Sequence, residues 1–266
     1  MHTKEFIIEQ LAELGAPRDS VVIVHTSLRA IGETEGRAEG LLDAFIEYFT
    51  ADGGLLCIPT HTWNNYKKPR ITLDMTKAES CLGTMPQIAA ADPRGTRTPN
   101  PTHSMVVFGN PVRVAEFVRG EDEQITPTSP EGCYGKIYDQ DGYVLLVGVG
   151  HNKNTFIHCV EEMLGITNRI SPESTEMSVK YKNGEIKTRK INFLNERLNG
   201  DVSAYFGKYE PAFRYHGCVV DGYIGDAPTQ LCSARKMKEV IELVRQRSRE
   251  IELLHDDIPL KKEWYE

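Results

Sequence analysis

His158, Glu161 and Glu162 sit within one helical turn of each other in the stretch GVGHNKNTFIHCVEE, residues 148–162. Spacings of i+3 and i+4 bring side chains together on one helix face. A carboxylate hydrogen-bonded to one imidazole nitrogen fixes the tautomer and makes the other nitrogen more basic. That is the arrangement of a general base. Taken alone, the same three residues also describe a solvated polar helix face. Gly148 and Gly150 just before them let the backbone pass close to a ligand.

Two further stretches carry candidate chemistry. HTSLRAIG, residues 25–32, turns away from an apolar run through Thr26 and Ser27, whose hydroxyls and backbone N–H groups suit an anion. His25 stands where that run leaves a sheet, and open α/β sheets bind ligands at that edge. An ordinary capped turn with a structural histidine explains the same residues. In PNPTHSMVVFG, residues 99–109, Ser104 lies at the mouth of a strand as a hydrogen-bond donor. No G-x-S-x-G elbow surrounds it. His103 and Ser104, adjacent in a strand, would face opposite ways, so a serine–histidine nucleophile pair is not expected there.

The elements that must position these residues alternate. Apolar spacing predicts helices over 4–14, 39–49, 83–91, 111–120, 154–164 and 230–254, with strands at 21–25, 53–60, 105–109 and 143–148. An Asn183–Gly184 turn between alternating segments predicts a hairpin, and residues 215–225 close the series. Residues 61–80 form a polar segment too long to be an idle connection. Helix–strand alternation of this kind specifies an α/β fold with a partly parallel sheet. With no repeat, low-complexity tract or linker, one domain over 1–266 is expected.

Bulk composition narrows the function classes. The chain has 266 residues, 40% of them hydrophobic, enough for a sizeable core. No run is long and apolar enough to suggest a membrane span. Residues 1–15 read as an acidic amphipathic helix rather than a signal peptide, so a cytoplasmic protein is expected. A net charge of -7 argues against nucleic acid and is compatible with a cationic ligand. The six cysteines form no C-x-x-C pair, and no H-E-x-x-H motif occurs. Buried thiols are expected, with no disulfide framework and no metal site.

Taken together, VHTSLRAIG (24–32), PTHSMVVFG (101–109) and GCYGKIYDQDGYVLLVGVGHNKNTFIHCVEE (132–162) resemble, in order and spacing, the aminoglycoside 3-N-acetyltransferase family. The likeness covers nearly the whole chain and is weakest over 171–210. It implies a three-layer α/β/α fold with a mixed central sheet, distinct from the small, more widespread acetyltransferase fold. It also implies acetyl-coenzyme A as donor, the 3-amino group of a polycationic 2-deoxystreptamine aminoglycoside as acceptor, and a role in antibiotic resistance. By the same resemblance His158 is the base, Glu161 orients it and His25 shares the active site. Thr26, Ser27, Leu28, Arg29, Ala30 and Ile31 would line the coenzyme, with Ser104, Met105 and Phe108 flanking the thioester. His61, Trp63 and the loop carboxylates Asp74, Glu79 and Glu123 are expected on the acceptor side. Glu162 is left to surface or salt-bridge duty. The sequence departs from the family pattern at Asn100, where many members carry histidine, and lacks glycines common before Ser129–Pro130. A different amine acceptor, or coenzyme A binding without catalysis, therefore stands as the alternative. Assembly is left open between monomer and homodimer.

Overall fold

The computed structural model describes residues 1–65, 71–166, 168–195, 200–250 and 252–266. Its centre is β1 (Val21–Thr26), joined to β2 (Leu55–Pro59) and β6 (Tyr143–Val147) in parallel. These strands are apolar and buried, as strands covered on both faces must be. Antiparallel strands extend the sheet on both sides. They are β4 (Thr96–Arg97), β5 (Met105–Phe108), β9 (Val219–Ile224) and β10 (Ala227–Ser233), giving the order β4–β5–β2–β1–β6–β10–β9.

Alternation along the parallel strands feeds two cores. Val22, Val24, Leu56, Ile58, Leu145 and Val147 pack under α1 (Lys4–Glu13), α3 (Arg37–Thr50) and α4 (Thr84–Ala91). Val21, Ile23, Leu55, Cys57, Val144 and Leu146 face the opposite layer. That layer is built from α5 (Pro111–Val118), α6 (Cys133–Asp139), α7 (Phe156–Met163), α8 (Glu210–Tyr215) and α9 (Ala234–Ser248). Each fully buried aliphatic side chain stabilises by about 1.5–3 kcal/mol, so neither face of the sheet can be left bare. The result is the expected three-layer arrangement with a mixed sheet.

A second, three-stranded sheet leans against the first. It comprises β3 (Leu73–Asp74), β7 (Ile170–Lys180) and β8 (Ile186–Leu194), in the order β3–β7–β8. The expected Asn183–Gly184 turn closes the β7–β8 hairpin, with Gly184 at φ 87°. Arg189 Nη2 donates to the Pro99 carbonyl at 3.0 Å and the Asn192 amide to that of Ile125 at 2.8 Å, fixing the hairpin beside the 99–104 loop.

Three elements differ from the sequence expectation. The helix expected over 230–254 begins only at Ala234, because residues 227–233 occupy the free edge of β6 as β10. Sheet pairing overrides local pattern there. The 93–104 loop contains the two-residue strand β4, and α6 precedes β6 where no helix was expected. Within the polar segment 61–80, residues 66–70 lie outside the described residues.

Candidate active site

The chain leaves β1 and β2, and turns after β6, at one end of the sheet. The connections that follow β1 and β6 run to opposite layers, so a crevice opens beyond the strand ends, where open α/β sheets bind ligands. A cavity of about 480 Å³ fills it. His25 and Thr26 end β1 on its wall, Pro59 ends β2, and Val149 follows β6. The connections add His61, Trp63 and His103, and the hairpin adds Phe193.

Gly148 makes the turn toward α7 possible. It takes φ 65°, and a Cβ there would lie 2.4 Å from the Cβ of Ala30. Its missing side chain therefore admits the short helix α2 (Leu28–Ile31), not a ligand, which corrects that part of the sequence reading. A Cβ at Gly150 would meet nothing closer than the Asn152 side chain, at 3.6 Å. A 3-10 turn over His151–Lys153 then leads into α7, which presents His158 to the cavity.

His158 is 9% exposed, and Glu161 behind it is fully buried. His158 Nδ1 and Glu161 Oε2 are 3.8 Å apart, and among the described residues neither atom has another hydrogen-bond partner. Two orphans aimed at each other become a hydrogen bond after an approach of about 1 Å. The Phe206 ring packs edge-on against the imidazole, with centroids 4.8 Å apart. The other carboxylate oxygen, Glu161 Oε1, accepts from Arg169 Nε at 2.6 Å. Arg169 in turn reaches Glu252 through both terminal nitrogens, at 2.6 and 2.8 Å.

Burial sets the electrostatics. It lowers the pKa of His158 to about 4 and those of His25 and His103 to about 3, and takes His61 well below its ordinary value. The cavity is thus lined by neutral imidazoles at neutral pH. His61 Nε2 lies 2.9 Å from the Tyr134 hydroxyl, His103 Nδ1 lies 3.0 Å from Thr102 Oγ1, and the two rings are 4.4 Å apart. Burial also pushes the Glu161 carboxyl up to about 7, against the pull of Arg169. The arrangement offers a neutral nitrogen base in a confined site, with a carboxylate positioned to stabilise its protonated form. Among the described residues no cluster of three or more His, Cys, Asp or Glu side chains is placed to hold a metal ion.

The structure brings together His25, Thr26, His61, Trp63 and His158, with Glu161 directly behind. Other expected residues lie elsewhere. Leu28 and Ile31 turn into the α3-side core and border a separate hollow beside α3, and Arg29 is exposed. Ser27 and Ala30 pack at Gly148. Ser104 is fully buried, its hydroxyl donating to the Thr60 carbonyl at 2.9 Å and accepting from Arg97 at 3.2 Å. Met105 and Phe108 are core residues on opposite faces of β5. A thioester cannot reach these three side chains without unpacking the sheet.

The carboxylates expected to hold the acceptor also stand off the cavity. Asp74 pairs with Lys77 and Lys180 on the small sheet, Glu79 accepts from Asn65, and Glu123 lies on a 3-10 turn. Among the described residues Glu162 forms no salt bridge: Thr126 and Thr128 donate to its carboxylate at 2.6 and 2.5 Å, pinning the 124–132 loop. Sequence reasoning missed Asp201 and Lys153 on the cavity wall and the Arg169–Glu252 pair. Nothing local marks the Arg169–Glu252 pair, whose members lie 83 positions apart in the chain.

A family model described as aminoglycoside 3-N-acetyltransferase matches residues 23–244. The SPbeta prophage-derived aminoglycoside N(3')-acetyltransferase-like protein YokD of Bacillus subtilis (strain 168) is 24% identical over 237 residues, covering 77% of this chain and 84% of that protein. Aminoglycoside N(3)-acetyltransferase III of Enterobacter cloacae is 26% identical over 224 residues, covering 78% and 77%. Among solved structures, AAC-IIIb in a binary complex with CoASH superposes with a TM-score of 0.76 at 19% identity, over 92% of this chain and 97% of that one. The apoenzyme of aminoglycoside acetyltransferase AAC(3)-IVa gives 0.75 at 21% identity, over 94% and 90%. With the matched model spanning both halves of the central sheet and the whole crevice between them, the chain belongs to the aminoglycoside 3-N-acetyltransferase family.

Proposed function

We propose that the protein transfers an acetyl group from acetyl-coenzyme A to the 3-amino group of a 2-deoxystreptamine aminoglycoside, as a resistance enzyme, within a ternary complex. Family membership supports the reaction class. So do solved relatives in complex with CoASH and with a gentamicin. The single observation that carries the mechanism is the buried His158–Glu161 pair facing the cavity.

The acceptor amine attacks as its neutral form, because an ammonium has no lone pair. Its nitrogen bonds to the thioester carbon and the carbonyl electrons move to oxygen. His158 Nε2 takes the proton from the developing ammonium. The tetrahedral intermediate then expels the thiolate, the C–S bond breaks, and the proton on His158 passes to sulfur. Glu161 stabilises the imidazolium between the two transfers. No acyl-enzyme is required, in keeping with the burial of Ser104 and of every cysteine but Cys81. His25, also on the wall with a buried Nε2 that has no partner among the described residues, is placed to orient a bound group. His158→Ala is expected to lower turnover by about 10²–10⁴-fold while coenzyme binding, read by calorimetry, survives. Unchanged turnover would end this reading.

A second acceptor class has one observation in its favour. Among the described residues lining the cavity, Asp201 is the only carboxylate, and Lys153 brings a positive charge. A polycation gains less from such a wall than the loop carboxylates promised. Thiol release from acetyl-coenzyme A with an aminoglycoside panel, and with 3-amino-blocked analogues, separates the two. Absence of release with any of them favours a different amine.

A further inference from the structure

Glu161 is an ambiguous orienting group for a base. As a carboxylate it accepts a hydrogen bond from imidazole Nδ1–H and leaves Nε2 bare, an acceptor toward the cavity. As a carboxylic acid it donates to Nδ1, and the neutral ring must then carry its proton on Nε2. The second tautomer cannot take a proton from an amine. Which state holds is decided by the groups that surround the Glu161 carboxyl.

Those groups come from several parts of the fold. Arg169, in the turn before β7, donates Nε to Oε1 at 2.6 Å. Glu252, beyond α9, holds the other edge of the same guanidinium at 2.6 and 2.8 Å. Arg245 on α9 and Tyr209 on the 3-10 helix Val202–Tyr209 also act on the carboxyl's field. His158 itself faces Oε2 from α7, and Asp201 acts on the ring from the cavity side. Burial alone favours the acid form of Glu161, as its raised pKa records. Among the described residues, Arg169 is the group in hydrogen-bond contact that favours the carboxylate. Glu252 fixes that contact: a guanidinium clamped on one side by a bidentate carboxylate has its Nε edge aimed in a single direction.

We propose that Arg169, held by Glu252, is the positioning residue that keeps Glu161 ionised and so selects the Nδ1–H tautomer of His158, leaving Nε2 as the acceptor. Neither Arg169 nor Glu252 lines the cavity. Both act through Glu161, and the inference rests on His158 being the base.

The test is a pair of measurements on the full-length protein. In 15N-histidine-labelled wild type at pH 7.5, assigned by comparison with His158→Gln, His158 should show a protonated-type Nδ1 and a bare-type Nε2. In Arg169→Met, which keeps side-chain volume without the charge, the pattern should invert. With an active acceptor, kcat/KM of Arg169→Met at pH 7 should fall about 10–100-fold, the usual scale for losing a group that orients a functional side chain. It should recover as pH rises and Glu161 ionises, a pH dependence that a merely structural role does not produce. Should Arg169→Met fail to fold, Glu252→Gln serves. It keeps the guanidinium but releases its clamp, and should give mixed tautomers, with Glu252→Asp restoring the wild-type spectrum. A protonated Nε2 in wild type overturns the inference. So does an unchanged tautomer and pH profile in the variants. The spectrum needs no substrate: an expected spectrum in a protein that acetylates no amine sinks the proposed function and leaves the tautomer assignment standing. Turnover lost in His158→Ala with no tautomer change in Arg169→Met does the reverse.

Discussion

Lowering the pH from 7.5 to 5.0 should strongly destabilise this protein, and the magnitude follows from its buried histidines. His25, His61, His103, His151 and His158 are all at least nine-tenths buried. Burial lowers each pKa: to about 3 for His25 and His103, to about 4 for His151 and His158, and well below the ordinary value for His61. A histidine whose folded pKa lies below its unfolded value near 6.5 favours the fold as the neutral ring. That contribution is whole above pH 6.5 and is lost as pH falls toward the folded value. At pH 5 each of the four histidines other than His61 has lost about 2 kcal/mol. Glu161 acts the other way, because its pKa is raised by burial to about 7 and its acid form favours the fold. It returns about 2 kcal/mol over the same interval. The four histidines with a stated value, after that offset, remove roughly 6 kcal/mol, and His61 adds to the loss. Domains are stable by only about 5–15 kcal/mol. Near pH 5.5 the unfolded chain should bind about three more protons than the folded one, a slope of roughly 4 kcal/mol per pH unit. Urea unfolding followed by far-UV circular dichroism at pH 7.5, 6.5, 5.5 and 5.0 measures that slope. His151→Gln, away from His158, should reduce the acid loss by about 2 kcal/mol even if it is less stable at pH 7.5. A urea midpoint that stays constant from pH 7.5 to 5.0 would refute the reasoning, for it would mean that these rings are not held neutral by burial.

Two other perturbations test separate links. Asp201→Asn keeps the acceptor oxygen that caps the 3-10 helix through the Ser203 amide at 3.0 Å, but removes the cavity carboxylate. Because Asp201 is exposed, KM for a polycationic acceptor should rise only about 2–5-fold at low salt, with kcat unchanged. Steady-state kinetics at two ionic strengths reads both. Gly148→Val forces a branched side chain to φ 65° and into Ala30, so it should cost about 3 kcal/mol and lower Tm by roughly 5–10 °C in a thermal melt.

What could be read from the sequence was the part carried by local order. Strands β1, β2, β5 and β6 are short β-branched or apolar runs, and they emerged close to their expected bounds. The His158–Glu161 spacing was legible for the same reason: i and i+3 on a helix are neighbours whatever the fold. β10 was not, because residues 227–233 become a strand only when the edge of β6 offers hydrogen bonds. Ser104, Met105 and Phe108 were expected beside a thioester on the strength of the family resemblance. Yet β5 is flanked by β2 and β4 and covered on both faces, so its side chains go to the cores. The loop carboxylates failed similarly. Net charge says how many acidic groups exist, not where they point, and Asp74 and Glu79 are taken up by local partners. Arg169 and Glu252 stand 83 positions apart and meet only because β7 and the segment after α9 converge behind α7.

The burial that keeps His158 neutral for its proposed role as base also makes that residue a source of acid lability. Opening the cavity to water would raise the histidine pKa values and protect the fold at pH 5. It would also weaken the field of Glu161 at His158 and let water compete for Nε2. A buried carboxylate tends toward its acid form. A buried guanidinium beside it restores the charge, but itself needs a counter-charge, since an unpaired buried cation is costly. Each group in the sequence His158, Glu161, Arg169, Glu252 answers the desolvation of the one before it, and the last, its side chain 15% exposed, reaches the protein surface. Shortening the relay at Glu252, which holds Arg169 at 2.6 and 2.8 Å, should therefore disturb His158 more than removing an exposed ion pair such as Arg18–Asp52, at 3.1 Å.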